Sequence, residues 1–357
     1  MMTGRERVLT ALAHREPDRV PITFDAEAEV KVLLKNHFHV TTDDELWRAL
    51  HVDTRLVGAT HHHPNQGDQP DGTHRSFWGY GSKQIRDAHG VRSDIVYFPL
   101  GKMTTAAELD QHPWPAADEL TFEKIRESRQ NNPDAAIIAH ITHGGYFNGT
   151  FLRGMEQFCL DLAGEPAFAR KVIGKITDYL FPAVERLCKE AGDSFDIFYM
   201  ADDFCTARGP LVSPACFRKF IKPYLATIAG IVHGHDKKFL LHVCGSVRTF
   251  LPELIDAGVD LLEPIQTSAE GMAVEGLKRD FGAKMAFYGS IDLIQVLARG
   301  TPAQVRAEVL KNFRVLGPQG GFILGPGHTY IQPDTPLENI LSMYKTGYEE
   351  CRYTKNI

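Results

Sequence analysis

The sequence lacks the features that mark several large classes of protein. Its 357 residues contain only six cysteines, which are too scattered for the disulfide framework of a small secreted domain. No apolar run approaches the roughly 18 residues that span a membrane, and the N-terminus has no apolar stretch typical of a signal peptide. Lysine and arginine total 39 against 45 aspartates and glutamates, so no basic excess suggests nucleic-acid binding. These absences favour a cytoplasmic enzyme.

The chain also lacks internal repeats and Ser/Gly-rich linkers, which favours a single domain over residues 1–357. Eight short apolar runs, most of them rich in β-branched or aromatic residues, alternate with segments that carry helix-start signals. This alternation predicts an α/β protein built as a (β/α)8 TIM barrel rather than a doubly wound sheet. The eight predicted strands are Val20–Phe24, Thr54–Gly58, Ala136–Ile141, Asp196–Met200, Lys238–Val243, Val259–Glu263, Lys284–Tyr288 and Gly321–Leu324.

Several helix ends are marked by individual residues. Thr3, Thr42 and Thr335 each precede a glutamate by three positions, which predicts capping boxes at the start of three helices. Gly192 and Gly258 follow helical stretches and are predicted to adopt the left-handed conformation just beyond a helix C-terminus.

One segment breaks the alternation of strands and helices. Phe77–Leu100 alternates in polarity and contains turn signals at Gly79, Gly81 and His89-Gly90. We therefore predict a β-hairpin there. It would lie within an insertion of roughly residues 60–115 between the second and third strands.

Polar residues follow most of the predicted strands. In a barrel of this type the active site lies just after the strands, at their C-terminal face. Asp202 and Asp203 are adjacent, so their side chains should point to opposite faces, one entering the site and the other capping backbone N–H groups. The predicted catalytic residues are Asp25, Asp202 and Asp203, and the predicted substrate-binding residues are Glu27, His143, Arg208, Gln266 and Ser290.

A metal site is predicted from the pair His242 and Cys244. Residues two apart on a strand share a face, so imidazole and thiolate can both point into the mouth of the barrel. Zinc is held by such ligands, and His328 at the end of the eighth strand supplies a third. The alternative is a buried histidine beside a small apolar cysteine. For the histidine run His61–His63, a solvated loop is favoured over a metal or anion site.

The chain resembles the uroporphyrinogen decarboxylase superfamily, which includes corrinoid-linked methyltransferases. The resemblance spans nearly the whole chain and is weakest between residues 60 and 135. The matching segments are Arg5–Leu9, Pro17–Pro21, Asp202-Asp203, Gly209–Pro214, Phe220–Tyr224, His242–Ser246, Gly289–Asp292, Gly325–His328 and Thr335–Ile340.

The resemblance also separates two branches of the superfamily. The decarboxylases carry an Arg-Gln-Ala-Gly-Arg motif after the first strand, where this chain has acidic Asp25 and Glu27. These carboxylates would repel a porphyrinogen with many carboxylates. The methyltransferase branch is similar in its His-x-Cys pair and in the helix from Thr335, but it has cysteine where this chain has His328.

The resemblance therefore implies a zinc-dependent methyltransferase acting with a corrinoid protein. Its substrate would be a small methylated compound such as a methoxyaromatic or a thiol, and the chain would form a homodimer. The alternative is a lyase that decarboxylates a small cyclic acid without corrinoid, with Asp202 or Asp203 stabilising the developing charge.

Overall fold

The computed structural model describes residues 1–87 and 90–353. Short strands dominate the sheets of these ranges. The strands are β1 Thr54–Gly58, β2 Thr60–His61, β3 Gly67–Asp68, β4 His74–Arg75, β5 Gly81–Asp87, β6 Gly90–Tyr97, β7 Leu120–Thr121, β8 Ala136–His140, β9 Ile197–Ala201, β10 Cys205–Thr206, β11 Gly209–Pro210, β12 Lys238–His242, β13 Leu261–Glu263, β14 Ala286–Ile291 and β15 Phe322–Pro326.

Helices connect most of the longer strands. The α-helices of the described ranges are α1 Gly4–Leu12, α2 Ala28–Phe38, α3 Asp43–Ala49, α4 Ala106–Leu109, α5 Glu123–Asn131, α6 Gly145–Arg153, α7 Met155–Gly164, α8 Pro166–Ala191, α9 Pro214–Cys216, α10 Lys222–Gly234, α11 Leu251–Asp256, α12 Val274–Phe281, α13 Pro302–Leu316 and α14 Leu337–Glu350. Among them, none has the length and apolar character needed to cross a membrane.

The central sheet has seven strands in the order β1-β8-β9-β12-β13-β14-β15. All neighbouring pairs are parallel, and the spatial order follows the chain order. The carboxyl ends of these strands consequently lie at one edge of the sheet.

The first predicted strand, Val20–Phe24, is not a strand of this sheet. Pro21 lacks an N–H group, so a regular hydrogen-bond ladder cannot run through the segment. Isolated bonds replace the ladder: the Thr23 N–H donates to the Leu324 carbonyl, and the Asp53 N–H donates to the Ile22 carbonyl. The segment Val20–Phe24 therefore bridges β15, the last strand of the sheet, and Asp53, the residue just before β1.

A separate cluster of buried apolar side chains comes from alternate positions of the sheet strands and from α1. The Arg5 N–H of α1 donates to the carbonyl of Asp134, just before β8, and Ala11 accepts from Gly321, just before β15. Helix α1 therefore packs at the amino ends of the strands and leaves their carboxyl ends accessible. The cluster contains Val8, Leu12, Ala136, Ile138, Ile197, Leu240, Leu261, Ala286 and Ile323.

The segment between β1 and β8 contains antiparallel strands. Strands β5 and β6 pair from Gly81 opposite Tyr97 to Asp87 opposite Gly90, and they join β3 and β4 in a four-stranded sheet. Strands β2 and β7 form a second antiparallel pair. His89 of the predicted turn lies outside the described residues, so the hairpin turn stays a prediction.

Two of the three predicted capping boxes are present. Thr3 and Thr42 form capping boxes as predicted. The prediction for Thr335 is wrong, because α14 starts one residue later, at Leu337, and the Thr335 N–H instead donates to the Gln332 carbonyl in a turn.

The two predicted left-handed glycines also differ. Gly258 has a φ of +91°, as predicted, whereas Gly192 has a φ of −55° and leads directly into the 3-10 turn Gly192–Ser194. The prediction for Gly192 is therefore wrong.

This difference gives a matched pair of substitutions. Gly258→Ala should lower the free energy of unfolding by about 1–2 kcal/mol, because L side chains are strained at positive φ and the new methyl would lie 2.9 Å from the Ala229 Cβ. Gly192→Ala should raise the free energy of unfolding by about 0.4–1 kcal/mol, because alanine lowers the conformational entropy of the unfolded chain. Urea unfolding of both variants checks the prediction, and an equal loss of stability in the two would contradict it.

Candidate metal and substrate site

The site is assembled at the carboxyl ends of β9, β12 and β13. His242 ends β12 and lies between Ala201 of β9 and Glu263 of β13 in the parallel register. Asp203 follows β9 by two residues, and Cys244 follows β12 by two. Neighbouring strands thus bring acidic, imidazole and thiol groups from distant parts of the chain to one place.

Asp203, His242 and Cys244 form a compact group of candidate metal ligands. One ligand atom from each lies within 4.8 Å of the other two. The Cys244 Sγ is 3.3 Å from the His242 Nε2, and the Asp203 Oδ1 is 3.6 Å from the same nitrogen. The Asp203 carboxylate is held in place by the Cys244 N–H, which donates to it at 2.7 Å. An oxygen, a nitrogen and a sulfur ligand with one position left open fit a catalytic zinc ion.

Buried groups behind His242 orient its ring. Glu263 is 1% exposed, and its carboxylate contacts the His242 Nδ1. The Thr329 hydroxyl donates to the other Glu263 oxygen at 2.9 Å. A carboxylate on one ring nitrogen fixes the tautomer and leaves the other nitrogen available to a metal, an arrangement common around protein zinc sites.

The protonation of the imidazole and the thiol is coupled. Burial would lower the pKa of His242, but the Glu263 carboxylate and Cys244 raise that pKa well above its usual value. Burial would raise the pKa of Cys244, but hydrogen bonds with His242 and His328 lower it. The thiolate form, which is the metal-binding form of cysteine, is thereby favoured.

His328 reaches the site but lies outside the compact group. A hydrogen bond with the Cys244 side chain raises the pKa of His328. Its ring lies perpendicular to the His242 ring, with the two centroids 6.2 Å apart. Of the three predicted ligands, His242 and Cys244 belong to the compact group and His328 does not; Asp203, which we predicted as a catalytic residue, is its third member.

Asp202 points away from the site. It is completely buried, and its carboxylate accepts hydrogen bonds from the Phe147 N–H at 2.7 Å and from the Tyr224 hydroxyl. Burial raises its pKa to about 7. A Cβ at Gly144 would overlap this carboxylate, which explains the glycine just before α6. Asp202 therefore caps backbone donors while Asp203 enters the site.

The predicted acidic residues near the N-terminus lie at the same end of the sheet. Asp25 is half-buried, forms an ion pair with Lys31 and lines a cavity together with Glu263 and His328. Glu27 lies just before α2, and its N–H donates to the Ile331 carbonyl at 3.0 Å.

Three of the predicted substrate-binding residues lie elsewhere or have other contacts. Arg208 is exposed on the β10–β11 turn and, within residues 1–87 and 90–353, pairs with no carboxylate. Gln266 is half-buried in the loop after β13. Ser290 is completely buried, and its hydroxyl lies 3.3 Å from the Asn312 Nδ2 of α13.

A histidine that we did not predict, His140, lies on the inner face of β8. Its ring is edge-on to the Tyr199 ring at a centroid distance of 6.1 Å, and Tyr199 stands at the same distance from His242. The predicted His143 is half-buried, edge-on to Phe147 and Phe151. The alternation Ala136, Ile138, His140 in the sequence could have indicated the inward position of His140.

The histidine run has structural contacts. His61 stacks on Phe77, and its ring nitrogens contact the Ile141 carbonyl at 3.0 Å and the Tyr179 hydroxyl at 3.1 Å. His62 is exposed and contacts the Thr121 hydroxyl. His63 is buried, and its Nδ1 accepts from the Asn65 N–H at 3.2 Å. The predicted solvated loop therefore describes His62 alone, and His61 and His63 have structural contacts.

Acid should destabilise the protein through His61, because burial lowers its pKa to about 4. The unfolded chain then binds a proton between pH 6.5 and 4 that the folded chain does not, so stability falls as pH falls through this range. The expected loss from this group is about 2 kcal/mol between pH 8 and pH 5. His61→Gln should remove that part of the pH dependence in urea unfolding, and the exposed control His62→Gln should not. Identical slopes for the two variants would contradict the prediction.

Comparisons with known proteins identify the family of the chain. Residues 124–349 match the family described as Uroporphyrinogen decarboxylase (URO-D). The chain belongs to the uroporphyrinogen decarboxylase family. Two relatives are a methylated-thiol–coenzyme M methyltransferase of Methanosarcina mazei, 26% identical over 193 residues, and a methylcobamide:CoM methyltransferase of Methanosarcina barkeri, 30% identical over 257 residues.

These matches cover 53% and 68% of this chain, but only 47% and 66% of the relatives' own lengths. A solved structure, a methyltransferase from Methanosarcina mazei, superposes with a TM-score of 0.67 at 21% identity. It covers 98% of this chain and 99% of that one, and it supports the fold.

Proposed function

We propose that this protein is a zinc-dependent methyltransferase that moves a methyl group between a small methylated substrate and a corrinoid protein. The observation that carries the proposal is the group of Asp203, His242 and Cys244, whose ligand atoms lie within 4.8 Å of one another. The names of the two relatives given above, both methyltransferases, support the reaction class.

In this proposal Asp203, His242 and Cys244 hold the ion, with His328 beside Cys244. Bound zinc would supply Lewis-acid activation of the heteroatom that carries or accepts the methyl group. Glu263 holds the His242 Nδ1, which directs Nε2 toward the site. Leu56, Ile138 and Leu240 give apolar surface to the cavity that Glu263 and His328 also line.

The fold would be a closed (β/α)8 barrel in a single domain. The segment Val20–Phe24 would take the place of the first strand, since it bonds to both edges of the seven-stranded sheet. Strands β2 to β7 would belong to one insertion. The homodimer and the docking of a corrinoid protein over the carboxyl ends of the strands remain predictions.

Decarboxylation of a small acid has no specific support from the site. Of its two predicted acids, Asp202 is engaged by the Phe147 N–H and the Tyr224 hydroxyl, and Asp203 accepts from the Cys244 N–H within the group of candidate metal ligands. Among the described residues that line the cavity, none is a lysine or an arginine that would bind a carboxylate.

The contact between Glu263 and His242 predicts a partial loss of zinc affinity when the carboxylate is replaced. Glu263→Gln should weaken zinc affinity by about 10–100-fold, the usual effect of losing such an outer partner. Competition with a chromophoric chelator measures the affinity. Glu253→Gln, which changes an ion pair with the exposed Arg218, is the control and should leave the affinity unchanged. Unchanged affinity in Glu263→Gln would contradict the role given to Glu263.

Methyl transfer itself is tested with free cob(I)alamin as acceptor. The purified protein is assayed with a panel of methoxyaromatics and methylated thiols, after chelation and after restoration of zinc. We expect methylcobalamin to form only with zinc present. Formation at the same rate after chelation would refute zinc dependence, and no transfer from any member of the panel would refute the reaction class.

A further inference from the structure

A second pocket lies at the amino ends of β1 and β8, at the end of the sheet opposite to the candidate metal site. Its volume is about 390 Å³. It is lined mainly by Arg48 of α3, by the segment 51–55 that leads into β1 and by the segment 131–135 that leads into β8. Because neighbouring strands of the central sheet are parallel, the length of the strands separates this amino-end pocket from His242 and Cys244.

Arg55 brings a nearly buried guanidinium to the amino-end pocket. It is 4% exposed and lies over the Trp47 ring, 4.6 Å from the ring centroid. Its Nε donates to the Asn132 Oδ1 at 3.3 Å, and its Nη1 donates to the Val52 and Thr54 carbonyls at 3.3 and 2.8 Å. Among the residues that the structure describes, Nη2 has no hydrogen-bond partner, and it is not one of the fully enclosed unpartnered atoms. A guanidinium N–H donor therefore stays open to the pocket.

The charge of Arg55 is incompletely balanced. The carboxylate of its ion-pair partner Asp44 lies 3.5 Å from Nε, which is longer than an ordinary hydrogen bond. Burial lowers the pKa of Arg55 to about 10 despite this carboxylate, and the charge of Arg48 acts in the same direction as burial. The guanidinium remains charged at neutral pH, and a buried charge without a close partner is costly. An anion in the pocket would offset that cost.

The other charges that line the amino-end pocket leave a positive excess. Arg48 is exposed and, in the described part of the chain, forms no ion pair. Arg19 is already engaged, because both of its terminal nitrogens donate to the Asp53 carboxylate. Of the described lining residues, Arg48 and Arg55 are then opposed only by Asp134, whose side chain is exposed.

We propose that the amino-end pocket binds a phosphate, as the free ion or as a group of a small molecule, with Arg48 and the Arg55 Nη2 as donors. Guanidinium groups match the geometry of phosphate oxygens, and a phosphate monoester carries close to two negative charges at pH 7. The volume of the pocket leaves room for the rest of a small ligand. The inference goes beyond the proposed function and does not rest on it, because the candidate metal ligands lie at the other end of the strands.

Titration calorimetry of the full chain in a chloride buffer tests the inference with three probes: glycerol phosphate, inorganic phosphate and acetate. We expect both phosphate probes to bind about tenfold more tightly than acetate, which carries a single charge. Arg48→Gln should weaken phosphate binding about tenfold, because a charge-assisted hydrogen bond is lost. Asp134→Asn should tighten it about twofold, because an opposing charge is removed.

The order of the two phosphate probes identifies the source of the phosphate. Tighter binding of glycerol phosphate supports an organic phosphate as the ligand, and tighter binding of inorganic phosphate supports the free ion. Phosphate probes that do not bind, or that bind no more tightly than acetate, would overturn the inference.

Two control variants separate the amino-end pocket from other sources of phosphate binding. Arg15→Gln removes an exposed arginine that does not line this pocket, and it should leave phosphate binding unchanged. Equal weakening in Arg15→Gln and Arg48→Gln would overturn the inference, because a general effect of charge would explain both. Cys244→Ser removes a candidate metal ligand and should bind phosphate as the unaltered chain does. Loss of phosphate binding in Cys244→Ser would place the anion at the metal site and overturn the inference, whereas a chain that binds phosphate but no zinc would contradict the proposed function alone.

Discussion

Cys244→Ser should abolish zinc binding and lower the rate of methyl transfer about a thousandfold or more, while the fold survives. A serine hydroxyl is a poor replacement for the thiolate that zinc prefers, and a thousandfold loss corresponds to about 4 kcal/mol of activation free energy. Cys244 lies in the loop after β12, outside the cluster of buried apolar residues, so its loss should leave the melting temperature of the metal-free protein nearly unchanged.

The measurement is zinc per chain by elemental analysis, together with the rate of methylcobalamin formation. Cys159→Ser is the matched control, because Cys159 is another half-buried free cysteine, on α7, remote in sequence from the metal ligands. The control should keep one zinc and full activity. A Cys244→Ser protein that retains stoichiometric zinc and turnover would remove the basis of the proposed function.

Asp53→Asn should lower the free energy of unfolding by about 3–5 kcal/mol, the cost of breaking a buried ion pair by removing one partner. Asp53 is 3% exposed and accepts hydrogen bonds from Arg7 at 2.7 Å, from both terminal nitrogens of Arg19 and from the Ile22 N–H. One carboxylate thus ties α1 and the segment that joins the two edges of the sheet to the start of β1.

Urea unfolding measures this loss. Glu253→Gln serves again as the control, since its partner Arg218 is largely exposed and such surface pairs contribute about 0–1 kcal/mol. A loss below about 1 kcal/mol in Asp53→Asn would show that the buried network does not hold the edges of the sheet together.

The parts of the site that follow from strand geometry could be predicted from the sequence. His242 and Cys244 are two residues apart and do meet, at 3.3 Å. Asp202 and Asp203 are adjacent and do point to different surroundings. Both results match the alternation of side chains along a strand, which here continues just past the ends of β9 and β12 and is a local property of the chain.

The parts of the site and of the fold that depend on loops, or on interruptions of a strand, could not be predicted from the sequence. Asp203 joins the compact ligand group because the Cys244 N–H holds its carboxylate, a contact 41 residues apart in sequence. Ser290 turns toward Asn312 because Gly289 and Ser290 both have positive φ, which interrupts the alternation along β14. Similarly, Pro21 has no N–H group for a regular ladder, so the first predicted strand, Val20–Phe24, is not a strand of the sheet.

Zinc K-edge X-ray absorption on the purified full chain tests the central claim most directly. We predict one zinc per chain, with one sulfur neighbour at about 2.3 Å and nitrogen or oxygen neighbours at about 2.0–2.2 Å. A protein that takes up no zinc, or a zinc shell without sulfur, would contradict the assignment of Asp203, His242 and Cys244 as the metal site.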